Sequence, residues 1–547
     1  MGQTSKILVG FLIVFLFWII PISQRSIYAE VYWPTDSWKT ATPESQGMDS
    51  GKLAEMVKLV WQEEVAIESI TVVRNGYLVL DAYNHRASKD QKHIIYSCTK
   101  SIVSALVGIA IDKGYIESIK QPVLSFFPDR IFGYMGAEKR AMTLEHVLMM
   151  ATGLRCQDSY KYNWRGLYGM TPSISWVQYL LNLPMIEAPG TRFEYCNGAS
   201  HLLSAIIQET TGMTAFEFAK KNLFGPLGIR HITWPSNRNG VTIGYSEIRM
   251  RPRDMAKIGY LFLNKGVWEG KQIVSSDWVE TSTRFHIHAG TLLPGYGYQW
   301  WIANEDLYTA VGHMGQYIMV YPKKNIVAVF TSYLQPIGFH TPLELMSNFI
   351  IPAIDFEKPP AENRVGSQSL QSYVTKWQTS PYYLYKKGNE PTPGKKPEKM
   401  LKKYVNEELG FSVQYNAHLF NITTAAIPPV IFRKKHINGF PSFAVLVDKV
   451  PQGTTLQTTG DYIVGLIKAF PGATTGFKIK KSTIITLEDG TRAGYTELNW
   501  RFQSMHINTV SVFAIKGDQL IGVGVSNTEE NPIEPLMEMA RSLKFDQ

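Results

Sequence analysis

Three apolar stretches follow one another between residues 296 and 333, and they constrain the fold more than any other part of the sequence. They read YGYQWWIAN, LYTAVGHMG and YIMVYPKKNIVAVFTSY, and turn residues at 322–325 divide the last one. Apolar runs of this length, separated by turn residues, predict consecutive antiparallel strands. The dipeptide Asn75-Gly76 predicts another hairpin, inside SITVVRNGYLVLDAYN.

Helical patterns lie between these two groups of strands. One predicted helix begins near Ser97 and ends at Gly114, and a second, SHLLSAIIQETTG, ends at Gly212. Glycine is the residue expected just past the end of a helix. Helices combined with a late run of antiparallel strands indicate the α+β class, with helices packed on an antiparallel sheet.

Composition divides the 547 residues into four parts. Residues 1–29 place Lys6 before a long apolar run and end at Ala29, a layout typical of a secretory signal peptide. Residues 357–399 are rich in Pro, Gly, Lys and Glu, which predicts an exposed linker. We therefore predict a signal peptide at 1–29, a large domain at 30–356, a linker at 357–399 and a smaller α+β domain at 400–547.

The predicted signal peptide places the protein in the periplasm or outside the cell. The same segment would anchor the protein in a membrane if it were not cleaved. The net charge of +9 is modest, and no basic stretch is interleaved with aromatic residues, so no nucleic-acid partner is expected.

The chain contains three cysteines, Cys98, Cys156 and Cys196, and an odd number leaves at least one without a partner in the chain. We expect all three to be buried thiols, which behave as small apolar residues. A bridge between Cys98 and Cys196 is the alternative.

Ser97 and Lys100 in the stretch YSCTKS are three residues apart at the start of a predicted helix, so they share one face. Serine becomes a nucleophile when an adjacent base takes its proton, and lysine can act as that base when it is partly neutral. The start of a helix also favours a developing negative charge. Taken alone, the pair equally fits a capping serine beside a solvated lysine.

Two later motifs favour the catalytic interpretation. Tyr195 and Asn197 precede a predicted helix in FEYCNGAS, and His313 and Gly315 lie in GHMGQY at the start of a predicted strand. Taken alone, Tyr195 fits a packing aromatic, and Gly315 fits a turn glycine.

In this order the three motifs resemble the serine beta-lactamase and penicillin-binding-protein superfamily, in its class C-like branch. The family set is Ser-x-x-Lys, Tyr-x-Asn and then Lys-Thr-Gly or His-x-Gly. The segments 142–154, 251–279 and 296–301 are similar to the family's helix before the site, its later helix with a hairpin, and its strand. The resemblance covers about residues 40–350, and it implies a beta-lactamase-like domain with an antiparallel sheet, packed helices and a helical region.

The resemblance also implies roles for individual residues. Ser97 would be the acylated nucleophile, Lys100 its proton acceptor, and Tyr195 the general acid and base. The implied substrate-binding residues are Asn197, which would assist positioning, His313 and Gly315 on the strand edge that faces substrate, and Gln316, whose backbone N–H would form the oxyanion hole with that of Ser97. No metal ion or organic cofactor is expected.

One departure from the family pattern bears on the substrate. His313-Met314-Gly315 stands where beta-lactamases carry Lys-Thr-Gly, and neither a neutral histidine nor a methionine holds a substrate carboxylate well. The segment YSCTKSIVSALVGIAIDKG is similar to the corresponding segment of the 6-aminohexanoate-dimer hydrolase-like group. We therefore expect an exported serine hydrolase that cleaves a small amide or ester, on a small-molecule or peptide substrate.

Two alternatives remain open at this point: a D-alanyl-D-alanine carboxypeptidase or penicillin-binding protein, and a catalytically silent protein that binds cell-wall peptides. The C-terminal domain resembles the small PsbP/Mog1-like fold at its GFSVQY start and ARSLKF end, and we expect it to be an accessory domain.

Overall fold

The structure is a computed structural model of the protein. The structure describes residues 32–130, 136–158, 162, 164–290, 292–334, 338–354 and 362–379, followed by a series of strands between 401 and 545. The predicted signal peptide lies outside the described residues.

The α-helices in these ranges are α1 (Ser50–Gln62), α2 (Cys98–Asp112), α3 (Ala137–Arg140), α4 (Leu144–Leu148), α5 (Arg165–Met170), α6 (Trp176–Asn182), α7 (Asn197–Thr211), α8 (Ala215–Ala219), α9 (Pro252–Leu263), α10 (Ser276–Thr283), α11 (Thr341–Leu345) and α12 (Arg364–Thr379). As predicted, α7 ends at Gly212, which takes the left-handed φ of 70° that favours glycine.

The strands of the first domain are β1 (Ile67–Arg74), β2 (Tyr77–Tyr83), β3 (His93–Ile94), β4 (Arg249–Met250), β5 (Val267–Trp268), β6 (Lys271–Gln272), β7 (Ile287–His288), β8 (Gly295–Tyr296), β9 (Trp301–Ile302), β10 (Tyr308–Gly312), β11 (Gln316–Tyr321) and β12 (Ile326–Ser332). The predicted hairpin at Asn75-Gly76 joins β1 to β2, and both turn residues have positive φ. The stretch YGYQWW, which resembles one family strand, instead runs from the last residue of β8 through a turn to the first residue of β9.

Eight of these strands form one antiparallel sheet, in the order β2-β1-β12-β11-β10-β9-β8-β7. Every residue of β12 is buried, as expected for a strand covered on both faces. Helix α9 packs across β1, β11 and β12, while α2 packs against β10 and β11. The predicted α+β class, with helices on an antiparallel sheet, is therefore confirmed for this domain.

The helical region is built around α7, which contacts α2, α4, α5, α6 and α8. Residues 98–110 of α2 and 197–207 of α7 are all buried, so both helices lie in the core rather than at its surface. The first turns of these two helices lie beside each other, between the sheet and the helical region. This arrangement brings together the sequence segments that contain Ser97 and Tyr195.

Part of the predicted linker is wrong, because 364–379 form the helix α12. Leu370 and Trp377 are buried as α12 packs on α1 and β2. The hydroxyl of Ser367 also bonds to Glu44 (3.3 Å) and Ser50 (3.4 Å), near the start of the domain. The exact domain boundaries otherwise stay predictions.

The strands of the C-terminal region are β13 (Leu401–Asn406), β14 (Phe411–Asn416), β15 (Phe420–Thr423), β16 (Val430–Lys434), β17 (Ser442–Lys449), β18 (Lys478–Thr486), β19 (Arg492–Phe502), β20 (Met505–Lys516), β21 (Gln519–Thr528) and β22 (Lys544–Phe545).

These strands form two antiparallel sheets, β13-β14-β22 and β15-β16-β17-β21-β20-β19-β18. β18 pairs with β19 and β20 pairs with β21, as the two predicted hairpins require, while the predicted turn residues 489–490 and 517–518 lie outside the described residues. Lys544 and Phe545 pair with β14, although the sequence predicted a helix through them. The predicted helix at 459–470 lies outside the described residues. Within the described ranges, no helix combines the length and apolar character needed to cross a membrane.

Candidate active site

Ser97 lies immediately before α2 and is partly exposed, whereas Lys100 in the first turn is 1% exposed. Tyr96, just before Ser97, has a φ of 45°, which is uncommon for a bulky residue. The chain therefore turns sharply from β3 into α2. Strained backbone of this kind often occurs at functional sites.

Lys100 makes three polar contacts that join three separate elements. Its Nζ lies 2.8 Å from Ser97 Oγ, 2.9 Å from Asn197 Oδ1 and 2.8 Å from the carbonyl oxygen of Tyr245. Burial lowers the pKa of Lys100 to about 7, although the nearby carboxylate of Asp158 acts in the opposite direction. A large fraction of Lys100 is therefore neutral near pH 7.

These contacts suit a neutral amine, which has two N–H donors and one lone pair. The carbonyl oxygen of Tyr245 can only accept a hydrogen bond, and so can Asn197 through Oδ1. When these two acceptors take both N–H groups, the lone pair of Lys100 is directed at Ser97 Oγ. The geometry therefore allows Lys100 to accept the hydroxyl proton of Ser97.

Tyr195 lies beside the same lysine. Lys100 Nζ is 4.9 Å from the centre of the Tyr195 ring, which stacks on Trp301 with ring centres 6.1 Å apart. The structure thus brings together Ser97, Lys100, Tyr195 and Asn197, as the sequence predicted.

Asp158 supports the start of α7 and was not found from the sequence. Its carboxylate accepts hydrogen bonds from the backbone N–H groups of Asn197 (2.7 Å) and Leu167 (2.6 Å). The capping residue of α7, Cys196, makes no side-chain cap bond, so Asp158 satisfies an N–H group at this helix end. Burial raises the pKa of Asp158 to about 6, although these two hydrogen bonds act to lower it.

The expectation of a buried thiol is confirmed for Cys98 and wrong for Cys156 and Cys196. Cys156 and Cys196 form a disulfide, which joins the loop before Asp158 to the residue after Tyr195. Cys98 is a buried free thiol, and it donates to the carbonyl oxygen of Gln316 at 3.4 Å. The predicted alternative of a Cys98–Cys196 bridge is therefore wrong, because Cys98 lies against β11.

His313 and Gly315 lie in the turn between β10 and β11, not on a strand as predicted. Met314 and Gly315 have φ values of 60° and 85°, and a Cβ at Gly315 would lie 2.6 Å from Leu334 Cδ1. The turn and its packing thus require this glycine. His313 packs edge-on against Tyr96, with ring centres 5.4 Å apart, and burial lowers the pKa of His313.

The side chain of Gln316 holds β11 to β12. Its amide nitrogen donates to the carbonyl oxygens of Ser332 (2.6 Å) and His313 (3.2 Å), and its amide oxygen accepts from the N–H of Ser332 at 3.2 Å. The residue is 2% exposed. A contact between Gln316 and substrate would therefore use the backbone, as the sequence interpretation assumed.

Gln299 joins the helices that carry these groups, and sequence reasoning missed it as well. Ser101 donates to its carbonyl oxygen (2.7 Å), Ser200 donates to its side-chain oxygen (2.6 Å), and its side-chain nitrogen donates to the carbonyl oxygen of Leu148 (2.9 Å). Ser101 follows Lys100 on α2, and Ser200 lies on α7 close to Asn197. Gln299 therefore fixes the two helices relative to each other.

Within the described ranges, no group of three or more His, Cys, Asp or Glu side chains is arranged to hold a metal ion.

Comparison with known proteins identifies the family. The beta-lactamase family model matches residues 46–341, which is more than half of the chain. A 6-aminohexanoate-dimer hydrolase of Paenarthrobacter ureafaciens is 23% identical over 291 residues, covering 49% of this chain and 72% of that protein. An uncharacterized protein of Alkalihalophilus pseudofirmus is 23% identical over 321 residues, covering 50% of this chain and 86% of that protein.

Among solved structures, a candidate 6-aminohexanoate-dimer hydrolase from Bacillus anthracis matches with a TM-score of 0.49 and 20% identity, covering 59% of this chain and 89% of that chain. The family match confirms the resemblance predicted from the motifs. The chain therefore belongs to the beta-lactamase family of hydrolases.

Proposed function

We propose that this protein is an exported serine hydrolase, which cleaves a small amide or ester through an acyl-enzyme on Ser97. The observation that carries the proposal is the contact between the buried amine of Lys100 and Ser97 Oγ. The amine also contacts two hydrogen-bond acceptors, Asn197 Oδ1 and the carbonyl oxygen of Tyr245. A lysine with a pKa of about 7 is matched to proton transfer near neutral pH.

In the first step, neutral Lys100 takes the hydroxyl proton of Ser97 as Oγ attacks the substrate carbonyl carbon. The negative charge that forms on the carbonyl oxygen would be stabilised by the backbone N–H groups of Ser97 and Gln316. The start of α2 adds a favourable electrostatic contribution at this point.

The tetrahedral intermediate then collapses, and the leaving amine or alcohol takes a proton that Lys100 and Tyr195 supply. In the second half of the reaction, a water molecule attacks the acyl carbonyl carbon and passes a proton to the oxygen of Tyr195, while Tyr195 gives its own phenolic proton to neutral Lys100, which then supplies it to Ser97. Ser97 Oγ leaves and regains its proton, which restores the free enzyme. Asn197 keeps Lys100 in place throughout these steps.

The substrate class is supported by what the site offers for recognition. His313 is neutral at pH 7 because burial lowers its pKa, and Met314 has no hydroxyl, so this turn lacks a strong anchor for a substrate carboxylate. A beta-lactam or a D-alanyl peptide would use such an anchor. The similarity to a 6-aminohexanoate-dimer hydrolase adds support for a linear amide.

Export is supported by the buried bridge between Cys156 and Cys196, since disulfides persist mainly in oxidising compartments.

Covalent labelling tests the nucleophile. A fluorophosphonate probe should add one probe mass to the full chain, and Ser97→Ala should remove the labelling. Ser88→Ala, an exposed serine outside the site, is the matched control and should keep it. A folded wild-type protein that neither labels nor hydrolyses any ester or amide would contradict the proposal.

A substrate panel separates this function from the alternatives. We expect turnover of p-nitrophenyl esters and short linear amides, and little turnover of D-Ala-D-Ala peptides or nitrocefin. Preferred cleavage of D-Ala-D-Ala peptides would identify a carboxypeptidase instead. Saturable peptide binding without turnover, unchanged by Ser97→Ala, would identify a binding protein.

A further inference from the structure

Residues 156–158 form a short loop segment that is linked to residues 194–197 at every position. The three links are the disulfide between Cys156 and Cys196, a hydrogen bond of 3.0 Å from the N–H of Gln157 to the carboxylate of Glu194, and one of 2.7 Å from the N–H of Asn197 to the carboxylate of Asp158. Tyr195 lies between these linked positions, and Asn197 Oδ1 is 2.9 Å from Lys100 Nζ. The loop therefore holds the two residues that lie beside the amine of Lys100.

The carboxylate of Asp158 is enclosed by the protein. The residue is 3% exposed, and its second hydrogen bond comes from the N–H of Leu167 at 2.6 Å. A Cβ added at Gly166 would lie 1.8 Å from the carbonyl oxygen of Cys156 and 2.6 Å from Asp158 Oδ1, so the backbone leaves no free space there. Burying a carboxylate is costly, and a neutral acceptor would take these hydrogen bonds at a lower cost. The charge of Asp158 therefore points to a role of its own.

That charge acts on the amine of Lys100. Burial lowers the pKa of Lys100, and the largest opposing effect is the negative charge of Asp158. The connection between the two groups runs through Asn197, whose backbone N–H donates to the carboxylate while its side-chain oxygen contacts Lys100 Nζ. One residue thus contacts both the carboxylate and the amine.

The other titratable side chains around this pair do not replace the carboxylate. They come from α2, the residues before α7, the segment before β4, and α5 and α6, and they are Cys98, Glu194, Tyr195, Tyr245, Glu247, Arg165 and Tyr179. Burial raises the pKa of Cys98, Tyr179 and Tyr245, so these groups are neutral near pH 7. The charges of Arg165 and Glu247 act on these tyrosines. The carboxylate that acts on the amine is therefore that of Asp158.

We propose that Asp158 is a positioning residue for the reaction, which holds Asn197 against Lys100 and stabilises the ammonium form of that lysine. In the first step the proton of Ser97 moves to Lys100 Nζ while Oγ bonds to the carbonyl carbon, so a cation forms in a buried place. A fixed negative charge nearby lowers the free energy of that state. The inference rests on the proposed hydrolase function and adds a residue to the machinery of the same site.

The pH profile of Asp158→Asn tests the effect of the charge. The variant keeps the shape of the side chain and loses its charge, so the pKa of Lys100 should be lower than in the wild type. For a neutral p-nitrophenyl ester, the midpoint of the rise in kcat/KM should move down by about 1 pH unit, the lower end of the effect of a nearby opposite charge. On the plateau, kcat/KM should fall by about 10–100-fold, which is part of what a positioned base contributes. Loss of a merely structural residue would leave the midpoint unchanged.

Three further variants separate charge, position and fold. Asp158→Ser also removes the charge, and serine is a good hydrogen-bond acceptor at the start of a helix, so this variant should show the same shift of the midpoint. Asp158→Glu keeps the charge on a longer side chain, so it should keep the wild-type midpoint and lower the plateau. Asp112→Asn is the control, because Asp112 accepts the N–H of Ser275 at 2.9 Å but lies about 18 Å along α2 from Lys100. The control should keep both the midpoint and the plateau of the wild type.

Urea denaturation shows which variants are folded. A folded Asp158→Asn or Asp158→Ser variant with the wild-type midpoint overturns the role of the charge. If neither of them folds, Asp158→Glu decides, because a shifted midpoint or an unchanged plateau contradicts the proposal. Loss of folding in all three variants assigns Asp158 to the fold alone and also overturns it. If the wild-type protein hydrolyses no ester and does not label at Ser97, the proposed hydrolase function fails, and this inference fails with it.

Discussion

Lys100 sets the expected pH dependence of the reaction at the level of single residues. Only its neutral form can take the proton of Ser97, and burial lowers its pKa to about 7. We therefore expect kcat/KM for a neutral ester to rise with pH through about 7 and then level off. A pH–rate profile between 5 and 9 measures this, and a flat profile would contradict the assignment of Lys100 as the base.

The variant Lys100→Arg sharpens this prediction. A guanidinium stays protonated throughout the range, so it cannot act as the base. We expect a loss in kcat/KM of about 10²–10⁴-fold, the usual contribution of a positioned base. Lys113→Arg, an exposed lysine at the end of the same helix, should leave the rate as in the wild type.

The sequence predicted four of the residues that meet at the site. Ser97, Lys100, Tyr195 and Asn197 occur at spacings that a family motif describes, and the structure brings them together. Their catalytic roles stay predictions. Tyr245 contributes a backbone carbonyl, which every residue has, so no sequence pattern could identify it.

Asp158 and Gln299 were missed for a related reason. Each is a single polar residue in a loop, and its importance lies in partners that are distant in the sequence. The partners of Asp158 are the N–H groups of Leu167 and Asn197, and those of Gln299 include Ser101 and Ser200.

At the level of elements, α12 is a helix in a stretch whose composition predicted a linker. Its neighbours are rich in Pro and Gly, and we predicted a linker across the whole stretch. Leu370, Val374 and Trp377 nevertheless follow the spacing of a helical face, and that periodicity was the available signal.

The packing of α12 predicts a measurable contribution to stability. Leu370→Ala or Trp377→Ala should lower the free energy of unfolding of the full chain by about 2–5 kcal/mol, the usual cost of truncating a buried side chain. Val365→Ala, on the same helix but 75% exposed, should change it little. Urea denaturation measures the difference, and equal effects at all three positions would show that α12 does not pack as described.

At the level of the whole molecule, the sequence predicted pairs of neighbouring strands joined by hairpin turns, but not pairs of strands that are far apart in the sequence. β1 pairs with β12, and a buried hydrogen bond of 2.6 Å joins the hydroxyls of Ser69 and Thr331. More than 200 residues separate these partners in the sequence. Apolar patterns give no information about such distant pairs.

The disulfide predicts the thiol content of the whole chain. Unfolded without reductant, the protein should show one reactive thiol, Cys98, and after reduction it should show three. The bridge closes a loop across 40 residues, so the variant with Cys156→Ser and Cys196→Ser should lose about 4 kcal/mol of stability.

Thiol titration and urea denaturation check both parts of this prediction. Cys98→Ala should leave no reactive thiol in the unreduced chain and two after reduction, and it serves as the control. Three thiols before reduction would contradict the bridge.

The contacts of Ser367 with Glu44 and Ser50 place the last helix of the first domain beside its first residues. A domain whose ends meet in this way tolerates circular permutation. The active site therefore depends on the contacts of the folded domain and not on where its chain starts. A permuted domain that begins at the exposed turn near Glu305, with its original ends joined by a flexible linker, should still assemble Ser97, Lys100 and Tyr195 into one site.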